Sequence, residues 1–258
     1  MFKNFFKSKK NYEPLNYEQR KYFENNILCL NNDFTEPSLD KRKIFTPTES
    51  DFPIEWNGSK ENAFEVLKIV SENMQLNPSK IKIDFYEEGL TELNAGSSVI
   101  FLENDNENTL TSGLYYGKNK NDKYEISLNT HILNNPTSLI ATMAHELCHI
   151  KLLGEKNMEE NDEYLTDLAT VFFGFGVFSA NASFQFFQQY DRWGYNGVGY
   201  LKYDEWAYSL ALFAFLRYED NPKWANFLNP AIKKEFKRSL EYMLENESEI
   251  FKFENETI

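Results

Sequence analysis

Two histidines four residues apart have the clearest chemical potential in this sequence. His145 and His149 lie in the segment His-Glu-Leu-Cys-His, with Glu146 between them. In a helix, side chains at positions i and i+4 project from one face, so both imidazoles can bind one metal ion. Glu146 lies about 100° further round the helix, where it can act as a general base towards a metal-activated water. Because the chain has only three histidines, this pairing favours a metal site over two local hydrogen-bonding side chains.

The segment around these histidines has both helix start and helix stop signals. Pro136 suits the first helical position, and Gly154 suits the residue just past the end. The sequence therefore predicts a helix over 136–153 that presents both histidines on its less apolar side. The opposite face collects the apolar residues Leu139, Ile140, Met143, Leu147 and Ile150.

A third metal ligand must come from another segment. We favour Glu163, because a helix that begins at Asn161 or Asp162 after the polar loop can run back along the first helix. Asp167, one turn further along, would then accept a hydrogen bond from a ring N–H of His145. The alternative for both acids is a solvated helix start, which the helix dipole favours. The other candidate ligands are His131, Glu155, Glu159, Glu160, Asp162 and Asp167.

These residues resemble the signature of a known class of enzymes. The segment His145-Glu146-Leu-Cys-His149, followed by Glu163-Tyr-Leu-Thr-Asp167, is similar to the HExxH…ExxxD signature of gluzincin-type zinc metallopeptidases. The resemblance implies that His145, His149 and Glu163 bind zinc. It further implies that Glu146 is the general base and that Asp167 orients a histidine. The HExxH part is the specific one, and the gap of thirteen residues between His149 and Glu163 is shorter than in the best-known members. The chain also resembles short HExxH proteins associated with mobile elements and stress regulators, which use an acidic residue on the following helix.

The elements around this motif predict an α+β fold, with a small, mostly antiparallel sheet followed by a helical part. Residues 59–258 are predicted to form a zincin-like metallohydrolase domain. Residues 1–58, rich in Asn, Pro and charge, are predicted to be an irregular N-terminal arm. Predicted strands lie at 81–86, 98–102, 113–117 and 123–129, the last two as a hairpin. Predicted helices lie near 16–26 and at 60–76, 136–153, 161–179, 203–218 and 230–247.

Composition and charge argue against several functions. The chain has 258 residues with a formal net charge of −13, which disfavours nucleic acid as a partner because phosphate binding needs clustered Lys and Arg. No apolar run reaches the roughly 18 residues of a membrane span. Two cysteines, Cys29 and Cys148, are too few for a disulfide scaffold, and the basic N-terminus lacks the apolar region of a secretory signal. We therefore expect a cytoplasmic protein; the alternative for the basic tail is a weak anchor on anionic lipid.

The sequence thus predicts a zinc-dependent hydrolase, most naturally a metallopeptidase that acts on a peptide or protein substrate. The alternative is a non-catalytic or regulatory zinc-binding module that acts through a protein partner. Glu146 favours catalysis, because a structural zinc site needs no base. An edge strand within 113–129 can pair with an extended peptide, and the loop 192–200 suits a substrate-contacting wall. Candidate donors to a developing oxyanion are Tyr200, Tyr203, Arg192 and His131.

Overall fold

The computed structural model describes residues 12–87, 113–183, 186–189, 192–195 and 200–252. It confirms the α+β class: helices dominate, and they are accompanied by a small three-stranded sheet. Of the predicted strands, the one at 98–102 lies outside the described residues. The helices are α1 (Tyr17–Asp33), α2 (Lys60–Asn73), α3 (Pro136–His149), α4 (Glu163–Phe172), α5 (Gly176–Ala182), α6 (Tyr203–Leu216) and α7 (Pro230–Glu245). The strands are β1 (Ile81–Tyr86), β2 (Gly113–Lys118), β3 (Tyr124–Asn129), β4 (Phe186–Gln189) and β5 (Arg192–Tyr195).

The three-stranded sheet is mixed, where the sequence predicted a mostly antiparallel one. β3 lies in the centre, antiparallel to β2 and parallel to β1. It is the most buried of the three strands, with Ile126 and Leu128 fully buried. The predicted hairpin of β2 and β3 is confirmed, and β4 with β5 forms a separate antiparallel pair. Alternating hydrophobicity predicts where strands lie, but it does not determine the direction of the partner strand.

Part of the predicted N-terminal arm is a long helix. The helix expected near 16–26 extends to Asp33, and Asn16 caps its first turn. Phe23 and Ile27 on its apolar face are almost completely buried in the same hydrophobic core as α3. α1 therefore belongs to the packed core that holds the histidine helix.

The single helix predicted over 161–179 is two helices, α4 and α5. The chain breaks at Gly174, which has a φ of +88°, a conformation that favours glycine. A Cβ on Gly174 would lie 1.9 Å from the carbonyl oxygen of Lys43. The N–H of Phe45 donates to the Gly174 carbonyl at 2.9 Å. The segment around Lys43 thus packs directly on the break, a tertiary contact that helix periodicity cannot indicate.

Helix α3 lies in the core of the molecule. Its apolar side chains are essentially inaccessible, and the helix contacts α2, α4, α5 and β2. α3 continues beyond His149 into a π-helical turn, Ile150–Glu155, rather than ending at a glycine cap as predicted. A Cβ on Gly154 would lie 2.6 Å from the ring of Tyr124, so the glycine permits close packing against β3. Within the described part of the chain, no helix is both long and apolar enough to cross a membrane.

Candidate metal centre

The structure brings together the three predicted ligands. The Nε2 atoms of His145 and His149 lie 3.1 Å apart. Oε2 of Glu163 lies 3.1 Å from Nε2 of His145 and 3.4 Å from Nε2 of His149. Among the described residues, these three form the group of His, Cys, Asp and Glu side chains that can hold a metal ion.

The dimensions of this group suit zinc. Two ligands about 2.0–2.1 Å from a tetrahedral zinc ion lie about 3.3–3.4 Å from each other. The three observed separations, 3.1, 3.1 and 3.4 Å, are close to this value. Two imidazole nitrogens and one carboxylate oxygen are also a usual ligand set for zinc. The residues therefore fit a metal ion of this kind.

The surrounding hydrogen bonds point all three ligand atoms at one position. Nδ1–H of His145 donates to Oδ1 of Asp167 at 2.9 Å, so Nε2 is the ring nitrogen that faces the centre. Asn161 donates through Nδ2 to Oε1 of Glu163 at 2.7 Å, so that Oε2 faces the histidines. Oγ1 of Thr166 lies 3.5 Å from Nδ1 of His149. Three converging electron-rich atoms repel one another unless a proton or a metal cation lies between them.

The start of α4 places Glu163. Oδ1 of Asp162 accepts the N–H of Leu165 at 3.0 Å and so caps the helix. Oδ2 of the same residue accepts the hydroxyl of Tyr22 at 2.6 Å. The cap is thereby tied to α1, and α4 contacts α3 as the sequence predicted. Glu163, in the first turn of α4, is consequently fixed against the two histidines.

Protonation in the absence of metal follows from the same contacts. Burial alone would lower the pKa of His145, but hydrogen bonds to Asp167 and Glu163 outweigh it and raise the pKa from 6.5 to about 10. Burial would raise the pKa of Glu163, yet the hydrogen bonds with His145 and His149 hold it well below its ordinary 4.5. At neutral pH the metal-free cluster therefore carries a proton on His145 beside an ionised Glu163.

We predict that zinc binding releases this proton. Because zinc needs the Nε2 lone pair of His145, binding at pH 7.5 should release about one proton per ion from this residue, and zinc affinity should rise with pH until the pKa near 10 is passed. Isothermal titration calorimetry in buffers of different ionisation enthalpy measures the released protons. Zinc binding without proton release would contradict the hydrogen-bonded cluster.

The raised pKa of His145 also predicts how the stability of the metal-free protein depends on pH. The folded pKa of His145 lies above its ordinary value of 6.5. Its contribution to stability is therefore fully present below about pH 6.5 and is lost as the pH rises through about 10. Thermal unfolding with a chelator present should accordingly show a decline over this window, and the decline should be smaller for the zinc-loaded protein.

Asp167 also fixes the segment that precedes α6. It is 1% exposed, and its Oδ2 accepts the backbone N–H groups of Tyr200 at 2.5 Å and Leu201 at 3.1 Å. With the His145 contact, this carboxylate accepts three hydrogen bonds. Asp167 thus joins the candidate metal centre to the chain leading into α6, a link that the sequence did not predict.

Asp167→Asn should weaken zinc binding or activity by roughly 10–100-fold, as changes to the hydrogen-bond partners of metal ligands typically do. The amide has one acceptor oxygen in place of two, so His145 or the backbone at Tyr200 loses an acceptor. We expect the variant to fold, and competition with a chromophoric chelator measures its zinc affinity. Unfolding without a metal-specific defect would make Asp167 a structural residue only.

Glu146 lies beside the cluster and is almost completely enclosed. It is 3% exposed, and its Oε2 has no hydrogen-bond partner among the described residues. Burial raises the pKa of this carboxyl group, although nearby His145 and His149 act in the opposite direction. A buried carboxylate oxygen without a partner costs free energy unless a ligand or reacting group satisfies it.

Two tyrosines flank the histidines. The ring of Tyr200 stacks on His145 with centroids 6.2 Å apart, and the ring of Tyr115 stacks on His149 at 5.9 Å. Tyr200 was among the predicted donors, whereas Tyr115 was missed because it reads as an ordinary strand residue. Of the other predicted donors, Tyr203 is exposed on the first turn of α6. His131 lies in the turn before α3, outside the metal group.

Most of the predicted substrate wall at 192–200 lies outside the described part of the structure. The structure describes the backbone of β5 and all of Tyr200, but not the side chain of Arg192. Comparison with protein-family models, with curated proteins and with solved structures found no match to this chain. The resemblance to zincins therefore rests on the HExxH and ExxxD residues alone.

Proposed function

We propose that this chain is a zinc-dependent hydrolase, and specifically a metallopeptidase. The observation that carries the proposal is the buried Glu146 carboxylate next to the His145–His149–Glu163 group, with one oxygen that no side chain or backbone group in the described part of the chain satisfies. This combination matches the two parts of metal-assisted hydrolysis, a site for the metal ion and a base for the attacking water.

The number of ligands favours an open, catalytic site. Catalytic zinc sites have three protein ligands, whereas structural sites are closed by four. The described group offers three, and Cys148 stays outside it although it precedes His149 in sequence. Burial raises the pKa of the Cys148 thiol, which disfavours the thiolate form that zinc binds. When bound, zinc supplies a Lewis acid that polarises the scissile carbonyl and acidifies water.

Glu146 supplies the proton transfers. Its carboxylate accepts a proton from the attacking water and passes it to the amine nitrogen as the C–N bond breaks. The enclosed position excludes bulk water, which strengthens electrostatic interactions with the reacting groups. A purely structural zinc module would leave the buried carboxylate of Glu146 without a role, and this favours hydrolysis over the binding-module alternative.

The sheet supports a peptide as the substrate. β2 is an edge strand of the described three-stranded sheet and contacts α3. The outer edge of such a strand offers backbone N–H and C=O groups to an extended chain. A peptide bound along β2 would lie next to the helix that carries Glu146. An extended peptide is therefore the substrate class that this arrangement fits best.

A peptide-library digest tests the proposal. We expect the zinc-loaded protein to cleave a subset of peptides, a chelator to abolish the cleavage, and added zinc to restore it. Mass spectrometry identifies the cleaved bonds. The absence of zinc-dependent cleavage across a broad library would contradict the proposal of a general peptidase.

A further inference from the structure

Gly113, the first residue of β2, lies against the helix that carries Glu146. A Cβ on Gly113 would lie 2.6 Å from Oε1 of Glu146 and 2.6 Å from Cγ2 of Thr142. Thr142 and Glu146 are one helical turn apart and are both buried. Gly113 pairs with Leu128 of β3, so the sheet limits how far its backbone can withdraw. No side chain fits at this position while the carboxylate stays where it is.

Backbone conformation does not explain the glycine. Among the described glycines, those with positive φ are Gly58, Gly117 and Gly174, and Gly113 is not one of them. An alanine could therefore adopt the backbone conformation of Gly113 without strain. In the absence of a clash, Gly→Ala at such a position stabilises a protein, because it restricts the unfolded chain. The requirement at this position is for space.

We infer that Gly113 is a positioning residue for Glu146. Its missing side chain leaves the space between β2 and α3 in which the carboxylate lies. Oε1 packs against the strand backbone, while Oε2 has no hydrogen-bond partner within the described ranges. The three atoms nearest to an added Cβ belong to Glu146 and Thr142, and none belongs to a metal ligand. The catalytic consequence of this inference rests on the proposed function, but the steric relation does not.

Gly113 connects the proposed peptide-binding strand with the proposed base. β2 is the strand along which a peptide would bind, and its first residue sets the place of the base. Gly113→Ala should push the carboxylate away from the strand. We expect turnover to fall at least about 10-fold, because a displaced base loses part of the roughly 10²–10⁴-fold that a positioned base contributes. Zinc affinity should stay within about 2-fold of wild type, less than the roughly 10–100-fold seen when partners of metal ligands change, because the atoms that the new Cβ meets belong to no metal ligand.

A cycle of variants followed by thermal unfolding tests the steric relation without any activity assay. Gly113→Ala should lower Tm by roughly 3–10 °C in wild type, from the usual cost of overpacking. The loss should be the same in Glu146→Gln, which keeps the size of the side chain. In the double variant Thr142→Ala/Glu146→Ala, which removes both clashing groups, Gly113→Ala should leave Tm unchanged or raise it by a few degrees.

The outcomes separate this inference from the proposed function. An equal loss of Tm in all three backgrounds would overturn the steric relation. Full turnover by Gly113→Ala, despite the expected pattern of Tm, would overturn the positioning role. The expected pattern of Tm in a protein whose wild type cleaves no peptide would uphold the steric relation and contradict the hydrolase.

Discussion

Replacing Glu146 with glutamine is expected to reduce zinc-dependent peptide cleavage at least about 10²-fold, the usual contribution of a positioned base. Glutamine keeps the size of the side chain but cannot accept a proton from water at neutral pH. The side chain is not one of the three groups that converge on the metal position, so zinc binding should stay close to wild type. Cleavage rates of one peptide identified by the library digest, at matched zinc loading, provide the measurement.

Glu155→Gln is a matched control for this variant. Glu155 is another carboxylate near the end of the same helix, but it is exposed and pairs with Lys151. We expect this variant to retain full activity. Equal cleavage by Glu146→Gln and wild type would remove Glu146 from the mechanism. Loss of zinc by Glu146→Gln would instead assign the residue to metal binding.

Replacing His149 with alanine is expected to abolish tight zinc binding. The change removes one of three converging ligand atoms and leaves Nε2 of His145 and Oε2 of Glu163. The loss of zinc affinity should exceed the roughly 10–100-fold that follows when a hydrogen-bond partner of a metal ligand is replaced. Metal analysis of the purified variant, after equilibration with a competing chelator, provides the measurement.

His131→Ala is the matched control for this experiment. His131 is the remaining histidine of the chain and lies outside the metal group, so its removal should leave zinc binding unchanged. Zinc retained at wild-type affinity in His149→Ala would show that another side chain can replace His149. Loss of zinc by His131→Ala would instead indicate that His131 is a ligand, which contradicts its place outside the metal group.

The centre could be predicted from sequence because its geometry is largely local. His145 and His149 are one turn apart on any helix that includes both, and Pro136 marks where this helix begins. Asn161 and Asp162 are both typical N-caps, so a helix could be expected to begin near them; α4 begins at Glu163, with Asp162 as its cap. The polar loop between α3 and α4 is long enough to reverse the direction of the chain, so α4 could be expected to run back along α3.

Other features depend on contacts distant in sequence. The break at Gly174 requires the carbonyl of Lys43 to pack against it, and no local pattern indicates this contact. From the sequence, Gly113 is only a residue of low strand propensity, because nothing local indicates that Glu146 packs against it. Asn161, the other possible cap, instead donates through Nδ2 to Oε1 of Glu163, the carboxylate oxygen that does not face the histidines. The direction of β1 relative to β3 likewise depends on a connection that periodicity does not specify.

A crystal structure of the zinc-loaded protein, with anomalous data collected at the zinc edge, tests the central claim most directly. We predict one zinc ion about 2.0–2.2 Å from Nε2 of His145, Nε2 of His149 and a carboxylate oxygen of Glu163. The fourth position should be free of protein ligands, and the Glu146 carboxylate should face it. No anomalous peak at this position, a different third ligand, or a fourth protein ligand that closes the site would contradict the account.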